Sequence, residues 1–242
     1  AQRSEVIRLK PDDAQYRFNL AVNLADGRRL DEAIAHYEIA LRLDPDEPRI
    51  HNNLATALVA AGRPAAALPH YASAGRLKSD DAQFHYNLAV ALTRLQRPAE
   101  AMTEYEAALR LRPDFADAHV NLGTALIAAG RTAAAIAHFE TAARLQPHDA
   151  NVRTALGNTL LIAGRSAEAA VEFRAALSGD SDAAAAHYGL GNIARAAGNT
   201  AEAITHYEAA LRADPSHVDA HFKLGNLLLE SGRVVEAIAH YE

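Results

Sequence analysis

The chain has 242 residues, of which 50% are hydrophobic and 22% are charged, a balance typical of a folded soluble protein. The formal net charge is −6 and the arginines form no block, which argues against nucleic acid as the main partner. Cysteine is absent, which excludes disulfides and thiolate chemistry, and no apolar run approaches the roughly 18 residues of a membrane-spanning helix.

The basic residues and the first stretch of the chain bear on source and compartment. Only Lys10, Lys78 and Lys223 among the 24 basic residues are lysine, a bias typical of high-GC coding sequence, which predicts a bacterial source. Residues 1–10 lack the apolar core of a secretion signal. We expect a soluble chain without membrane insertion and favour the cytoplasm over export, although the missing cysteines fit either compartment.

An internal repeat of 34 residues organises the sequence, with no insertion or deletion. Residues 1–13 are interpreted as the remnant of a preceding repeat. The predicted repeats span residues 14–47, 48–81, 82–115, 116–149, 150–183, 184–217 and 218–242, and the last of them is truncated. Because solenoids need polar end caps and none is visible, we expect either a piece of a longer chain or ends that stack on other copies.

The first half of each repeat is predicted to form an amphipathic helix. When the repeat is numbered from 1, position 7 is leucine and position 8 is alanine or glycine in every copy. Positions 4, 7, 8 and 11 follow the spacing of one helical face, and the small residue at position 8 permits close helix contact. The position-7 leucines are Leu20, Leu54, Leu88, Leu122, Leu156, Leu190 and Leu224.

A glycine is predicted to end the first helix, and a second helix follows. Pro64 and Pro98 stand where a helix takes proline in its first turn. Positions 20 and 27 are always alanine and position 24 is always tyrosine or phenylalanine, so one aromatic ring per repeat is expected to pack among small neighbours. The glycines are Gly27, Gly62, Gly130, Gly164, Gly198 and Gly232.

Two places depart from the pattern. Pro69 falls inside the predicted second helix of the second repeat, where it removes a backbone hydrogen bond at a cost of about 3 kcal/mol, and Gly75 replaces the usual leucine nearby. The fifth repeat ends in SGDSD, residues 178–182, where glycine and polar residues replace the usual apolar residue and proline. Both places are candidate points of flexibility.

The spacing resembles the tetratricopeptide repeat, in which an aromatic residue, leucine-glycine, alanine, a second aromatic residue and a closing proline recur. The resemblance covers nearly the whole chain. It implies an all-α fold, an α-solenoid of stacked helix-turn-helix units forming a right-handed superhelix with the first helices on its concave side. Position 4, where the family often has tryptophan, is different here. It is occupied by Arg17, His51, His85, His119, Arg153, His187 and His221.

Titratable residues recur with the repeat and do not suggest catalysis. Ten of the twelve histidines occupy positions 4 and 23, which favours packing and capping over metal binding. The best-spaced pair, His217 and His221, has no third ligand fixed by spacing, so no metal site is predicted. Acidic residues at position 19 complement the helix dipole. Since no phosphate loop or nucleophile motif is found, the sequence predicts no cofactor and no enzyme.

Asparagines mark the exposed face of the first helix, at position 6 in four repeats and position 9 in three. They are Asn19, Asn53, Asn87, Asn121, Asn158, Asn192 and Asn226. An amide both donates and accepts, so this ladder could hold an extended chain of any sequence. It resembles the asparagine ladder in the tetratricopeptide superhelix of O-linked N-acetylglucosamine transferase, whose repeats share the HxNLxxxL pattern found from His119 to Leu126. Alternatively, these asparagines are common in the family and bind nothing.

Aromatic residues at position 5, Tyr86 and Tyr188 among them, add apolar contact to the predicted groove or else fill the seam between neighbouring repeats. We therefore predict a non-catalytic protein–protein interaction scaffold whose concave groove binds an extended peptide or a partner helix through these tyrosines and the seven asparagines. Two alternatives stay open. One is the substrate-recognition arm of a larger glycosyltransferase-like enzyme, and the other is a solenoid that self-associates end to end.

Overall fold

The computed structural model describes residues 13–242, and the chain divides into two compact units, one ending at Ala118 and the other spanning His119–Glu242. The described residues form helices and no strand, so the all-α prediction is confirmed. The helices are α1 (Ala14–Asp26), α2 (Leu30–Leu43), α3 (Pro48–Ala60), α4 (Pro64–Leu77), α5 (Ala82–Arg94), α6 (Pro98–Leu111), α7 (Ala116–Ala128), α8 (Thr132–Leu145), α9 (Ala150–Ile162), α10 (Ser166–Gly179), α11 (Ala184–Ala196), α12 (Thr200–Ala213), α13 (Val218–Glu230) and α14 (Val234–Tyr241).

Each unit is a stack of helical hairpins. In the first unit α1 packs on α2, α3 on α4 and α5 on α6, and in the second α9 packs on α10, α11 on α12 and α13 on α14. The second helix of a hairpin also contacts the first helix of the next within the same unit. The predicted remnant over residues 1–13 lies outside the described residues apart from Asp13, and the division into 34-residue repeats stays a prediction. No helix between residues 13 and 242 is both long and apolar enough to cross a membrane.

Aspartate side chains start several of the first helices. Asp13 accepts a hydrogen bond from the backbone N–H of Tyr16 at 3.2 Å, and Asp149 accepts from the N–H of Asn151 at 2.8 Å. These contacts satisfy amide hydrogens that have no partner inside the helix and are each worth about 0.5–2 kcal/mol. The second helices begin at residues without such a cap, and four of them instead start with an exposed arginine–glutamate pair such as Arg29 with Glu32.

The turn within each hairpin depends on one residue in the left-handed region. Five glycines take this conformation, with φ between 73° and 79°. In two hairpins of the first unit the position is held by Arg28, with φ of 57°, and Gln96, with φ of 56°. Gly27, predicted to end the first helix, does cap α1, but with an ordinary φ of −76°. The left-handed residue there is therefore Arg28, and a side chain at such a position is strained relative to glycine.

The core consists of aromatic rings among alanines, as predicted. The position-24 rings Tyr37, Tyr71, Tyr105, Phe139, Phe173 and Tyr207 are all at most 3% exposed. Phe173 shows how small neighbours make room for them. A Cβ built on Gly157 would lie 2.7 Å from the Phe173 ring, and one built on Gly189 would come closer still. Glycine at these positions therefore serves close packing between helices.

The two predicted points of flexibility have defined conformations. Helix α4 continues through Pro69 without interruption, and the proline side chain is exposed. Helix α10 includes Ser178 and ends at Gly179, where a Cβ would lie 2.6 Å from the carbonyl oxygen of His148. Glycine at that point allows two backbone segments to approach each other. Flexibility at either place stays a prediction.

Candidate functional site

The predicted asparagines of the first unit lie on the outer face of its first helices, which is the face opposite the one that packs against the second helices. Asn19 is exposed, and Asn53 and Asn87 are half-buried. Gln15 Nε2 donates a hydrogen bond to Asn19 Oδ1 at 3.0 Å along the same helix. These three positions are separated by one repeat each, so the amides form a row across α1, α3 and α5.

A chain of hydrogen bonds joins amide side chains across this face. Gln83 Nε2 donates to Asn87 Oδ1 and Asn87 Nδ2 donates to Asn52 Oδ1, both at 3.0 Å. Asn52 Nδ2 donates in turn to Asn53 Oδ1 at 3.3 Å. With the groups at its two ends, this amide relay consists of Arg112, Gln83, Asn87, Asn52, Asn53 and Tyr37.

The two ends of the amide relay are a cation and a phenol. Arg112 Nη2 donates to Gln83 Oε1 at 3.3 Å, and its guanidinium carbon lies 3.4 Å from the ring centroid of Phe115. At the other end, the Asn53 side chain lies close to Tyr37, and both line one pocket. Burial, and then the carboxylate of Asp26, raise the pKa of Tyr37 to about 12, while Asn53 acts in the opposite direction. The hydrogen bonds between Arg112 and Asn53 hold each amide between them in one orientation.

A pocket of about 300 Å³ opens beside the end of the amide relay. Tyr37 and Asn53 line it together with Asp26 and apolar residues of α1, α2 and α3, including Leu30 and Ala57. The pocket therefore combines apolar walls with one carboxylate and the three hydrogen-bonding side chains of Tyr37, Asn53 and Thr56. That composition fits a polar or basic side chain with an aliphatic stem.

The asparagines of the second unit make different contacts. Tyr207 donates its hydroxyl to Asn192 Oδ1 at 2.8 Å, and Tyr241 donates to Asn226 Oδ1 at 2.7 Å. In each case the tyrosine belongs to the second helix of the same hairpin. Asn158 is exposed. The shift of the stripe from position 6 to position 9 thus places two amides next to tyrosine hydroxyls.

The predicted groove tyrosines lie in seams between helices. The Tyr86 ring is 5.9 Å from that of Tyr105 and 4.6 Å from that of Phe115, measured between centroids. Tyr188 is 5.8 Å from Tyr207. Both tyrosines are half-buried. These contacts favour the alternative that the rings fill the seams, and a ligand contact by either stays a prediction.

The histidines at positions 4 and 23 face each other across each hairpin. In four hairpins both partners are histidine and their Nδ1 atoms lie within hydrogen-bonding distance. These bis-histidine pairs are His51 and His70 at 3.3 Å, His119 and His138 at 2.9 Å, His187 and His206 at 3.2 Å, and His221 and His240 at 2.9 Å. In the other three hairpins the same two positions hold His85 with Glu104 at 2.7 Å, Arg153 with Glu172 at 2.6 Å and Arg17 with His36 at 3.3 Å.

The position-4 histidine also hydrogen-bonds the segment that precedes its helix. Its Nε2 approaches the backbone carbonyl six residues earlier, and because a carbonyl only accepts, Nε2 carries the proton. In a neutral pair, Nδ1 of this ring then accepts from Nδ1–H of the position-23 ring. The Nε2 to oxygen distances are 3.0 Å for His51 and Pro45, 3.2 Å for His187 and Ser181, and 3.1 Å for His221 and Pro215.

We expect the stability of the hairpins to fall as the solution is acidified. Burial, then the neighbouring imidazole of His187, lower the pKa of His206, with Arg174 acting in the same direction and Glu202 opposing. The pKa of His70 is lowered by burial, then by His51, against Glu38. When the pKa of a histidine is lower in the folded state than in the unfolded state, its contribution to the free energy of unfolding is fully present above the unfolded pKa of about 6.5. That contribution is lost as the pH falls through the folded pKa.

Urea unfolding followed by circular dichroism at pH 7.5 and at pH 5 measures this effect. His206→Gln should narrow the difference between the two pH values, because it removes one of the titrating groups. His148 lies outside the pairs, so His148→Gln serves as the matched control and should leave the difference unchanged. Greater stability at pH 5 than at pH 7.5 would contradict the expectation.

Sequence reasoning missed three members of the amide relay. Asn52 is buried, at 6% exposure, and no residue pattern pointed to it, to Gln83 or to Arg112. The pairing of positions 4 and 23 could have been found, because the two positions carry matched residue types in each repeat. Among the described residues no cluster of three or more histidine, aspartate or glutamate side chains could hold a metal ion.

Comparison with family models places the sequence pattern in a known group. A model described as tetratricopeptide repeat matches residues 52–114, 154–216 and 190–242. A second tetratricopeptide repeat model matches residues 92–159, and a third, described as TPR repeat, matches residues 24–62. No curated protein sequence matches the chain significantly.

Solved structures with similar folds are numerous. YrrB, described as a TPR protein with an unusual peptide-binding site, is 25% identical with a TM-score of 0.67, over 76% of this chain and 95% of its own. PilW, described as a widely conserved type IV pilus biogenesis factor, is 25% identical with a TM-score of 0.72, over 89% and 98%. The C-terminal part of a TPR protein from Cytophaga hutchinsonii is 16% identical with a TM-score of 0.76, over 93% and 92%, and shows the fold alone.

Proposed function

Since this chain belongs to the tetratricopeptide repeat family, a family of protein-interaction scaffolds, we propose that the outer face of its first helices binds an extended peptide through asparagine side chains. The amide relay of the first unit carries this proposal. Asn53 and Asn87 lie in a row on that face, and the hydrogen bonds of the relay hold their amides in fixed orientations.

The chemistry of a fixed amide suits a peptide backbone. An asparagine amide has two N–H donors and an oxygen with two acceptor positions. In the relay Asn87 uses its oxygen for Gln83 and one N–H for Asn52. Its second N–H can donate to a peptide carbonyl, and the second acceptor position of its oxygen can accept from a peptide N–H. Because the amide is already oriented, binding costs less side-chain entropy than it would for a freely rotating asparagine.

The pocket beside Tyr37 supplies a place for one ligand side chain. Its apolar walls fit an aliphatic stem, and the carboxylate of Asp26 fits a basic group at the end of that stem. We therefore expect bound peptides to carry lysine or arginine at the residue that enters this pocket. The similarity to YrrB, described as having a peptide-binding site, supports a peptide as the kind of ligand.

A peptide-display selection on the full chain, followed by fluorescence anisotropy with the selected peptides, tests the proposal. We expect Asn53→Ala with Asn87→Ala to weaken binding by about tenfold or more, since each hydrogen bond is worth about 0.5–1.5 kcal/mol and about 1.4 kcal/mol is a factor of ten. Asp26→Asn should reduce the preference for basic residues.

The matched control is Asn199→Ala, because Asn199 is an exposed asparagine in a turn of the second unit, bonded to Glu202 at 3.3 Å. It should bind like the unaltered chain. Circular dichroism confirms that each variant stays helical. Equal affinity of the Asn53/Asn87 variant and the control would show that this face does not bind the peptide.

A further inference from the structure

We propose that each bis-histidine pair is a binding site for one divalent transition-metal ion, with Cu²⁺ bound most tightly, coordinated by the two Nδ1 atoms. The sites are independent of the peptide-binding face, because they lie between the two helices of a hairpin at positions 4 and 23. Imidazole nitrogen is a ligand suited to copper, nickel and zinc, and Cu²⁺ heads the order of affinities among divalent ions of this row.

The spacing of the nitrogens matches a two-imidazole chelate. Two nitrogens that bind one ion at about 2.0–2.1 Å lie about 2.9 Å apart when the angle at the metal is about 90°, and about 3.3 Å apart when it is tetrahedral. The observed separations are 2.9 Å for His119/His138 and His221/His240, 3.2 Å for His187/His206 and 3.3 Å for His51/His70. The four pairs therefore span the range that one ion requires.

The second nitrogen of the position-4 ring is held as in known metal sites. Metal-binding histidines usually donate the N–H of the other ring nitrogen to a carbonyl or carboxylate, which fixes the tautomer and aims the lone pair at the metal. Here Nε2 of His51, His187 and His221 donates to a backbone carbonyl at 3.0–3.2 Å. The lone pair on Nδ1 is thereby directed toward the partner ring before any metal arrives.

The proton balance of binding follows from the tautomers. In the neutral pair the position-23 ring carries its proton on Nδ1, between the two nitrogens. On metal binding that proton is released to water and the same ring takes up one proton on Nε2, so the neutral pair loses none. Protonated rings must release theirs first, so binding weakens as pH falls. His119 is buried and the other seven paired histidines are half-buried, and water fills the other coordination positions.

The ion pair of the fifth predicted repeat provides the pattern for a control variant. In the fifth predicted repeat the same two positions hold Arg153 and Glu172, joined at 2.6 Å, and the surrounding hairpin is unchanged in architecture. Replacing His187 with arginine and His206 with glutamate copies that ion pair into another hairpin. This double variant removes both ligands and keeps a contact between the helices.

Titration of the full chain with Cu²⁺ at pH 7.5, followed by isothermal calorimetry and electron paramagnetic resonance, tests the proposal. We expect four tight equivalents with spectra typical of two nitrogen ligands, and three equivalents for the His187→Arg/His206→Glu variant. At pH 5 binding should fall by at least tenfold. Zn²⁺ should bind the same sites more weakly.

Two other histidines provide the specificity control. His148 lies outside the pairs, and Nδ1 of His217 accepts from the backbone N–H of Ala220 at 3.3 Å, so His148→Ala with His217→Ala should leave four equivalents. The proposal is overturned if the His187/His206 variant still takes up four equivalents, or if the His148/His217 variant loses as much copper. Absence of binding at micromolar Cu²⁺ would also overturn it.

Discussion

Phe173→Ala is expected to lower the free energy of unfolding by about 3–5 kcal/mol, because it leaves a cavity where a large ring was fully buried. The Phe173 side chain is 0% exposed and lies between the backbones of α9 and α11 at Gly157 and Gly189. Neither glycine has a side chain that could move into the space. Urea unfolding measured by circular dichroism gives the size of the effect.

Phe222→Ala is the matched control for this substitution. Phe222 is also an aromatic residue of the second unit, but its side chain is 54% exposed. We expect a loss of about 1 kcal/mol or less, as is usual for surface substitutions. Hydrogen exchange should place the Phe173→Ala effect in α9, α10 and α11. A loss for Phe173→Ala no larger than that for Phe222→Ala would refute the packing argument.

Pro69→Ala is expected to raise the free energy of unfolding by about 2–3 kcal/mol. Helix α4 continues through Pro69, so this residue lacks the N–H that would bond to the carbonyl of Ala65, and its ring crowds that carbonyl. Alanine restores the hydrogen bond and has the highest helix propensity. Its side chain is small and the position is exposed, so no new clash is introduced.

Pro98→Ala provides the comparison for this prediction, because Pro98 is the first residue of α6, where a helix accommodates proline. We expect Pro98→Ala to change stability by less than about 0.5 kcal/mol. Chemical denaturation of both variants under the same conditions separates the two positions. If Pro69→Ala fails to stabilise the chain, the helix in solution must already bend to accommodate the proline.

The helices and their buried faces could be predicted because each rule was repeated along the chain. Alanine at positions 20 and 27 is buried in every repeat that contains it, and leucine at position 7 and the aromatic ring at position 24 are buried in most of them. The turn in the first hairpin was harder, since Gly27 attracts attention while the left-handed residue is Arg28. A pattern of residue types does not distinguish a glycine that caps a helix from one that takes positive φ.

The candidate site was predicted only in part. The stripe of asparagines was visible in the sequence, but the amide relay depends on the hydrogen bond from Asn87 of one hairpin to Asn52 of another. No rule based on residue spacing predicts which way that side chain turns. Asn192 and Asn226 likewise depend on tyrosines 15 residues away. The resemblance to O-linked N-acetylglucosamine transferase, the bacterial source and end-to-end association stay predictions.

The amide relay has a consequence for how the first unit unfolds. The stability of a repeat array is approximately a sum of terms for single repeats and for adjacent pairs. The hydrogen bonds of the relay run from the α5–α6 hairpin to Asn53 on α3, which lies beside Tyr37 of the α1–α2 hairpin, and bonds in such a chain polarise one another. Loss of the Arg112–Gln83 bond therefore weakens the bond between Asn52 and Asn53. A coupling that reaches beyond adjacent hairpins should make these three melt as one cooperative block.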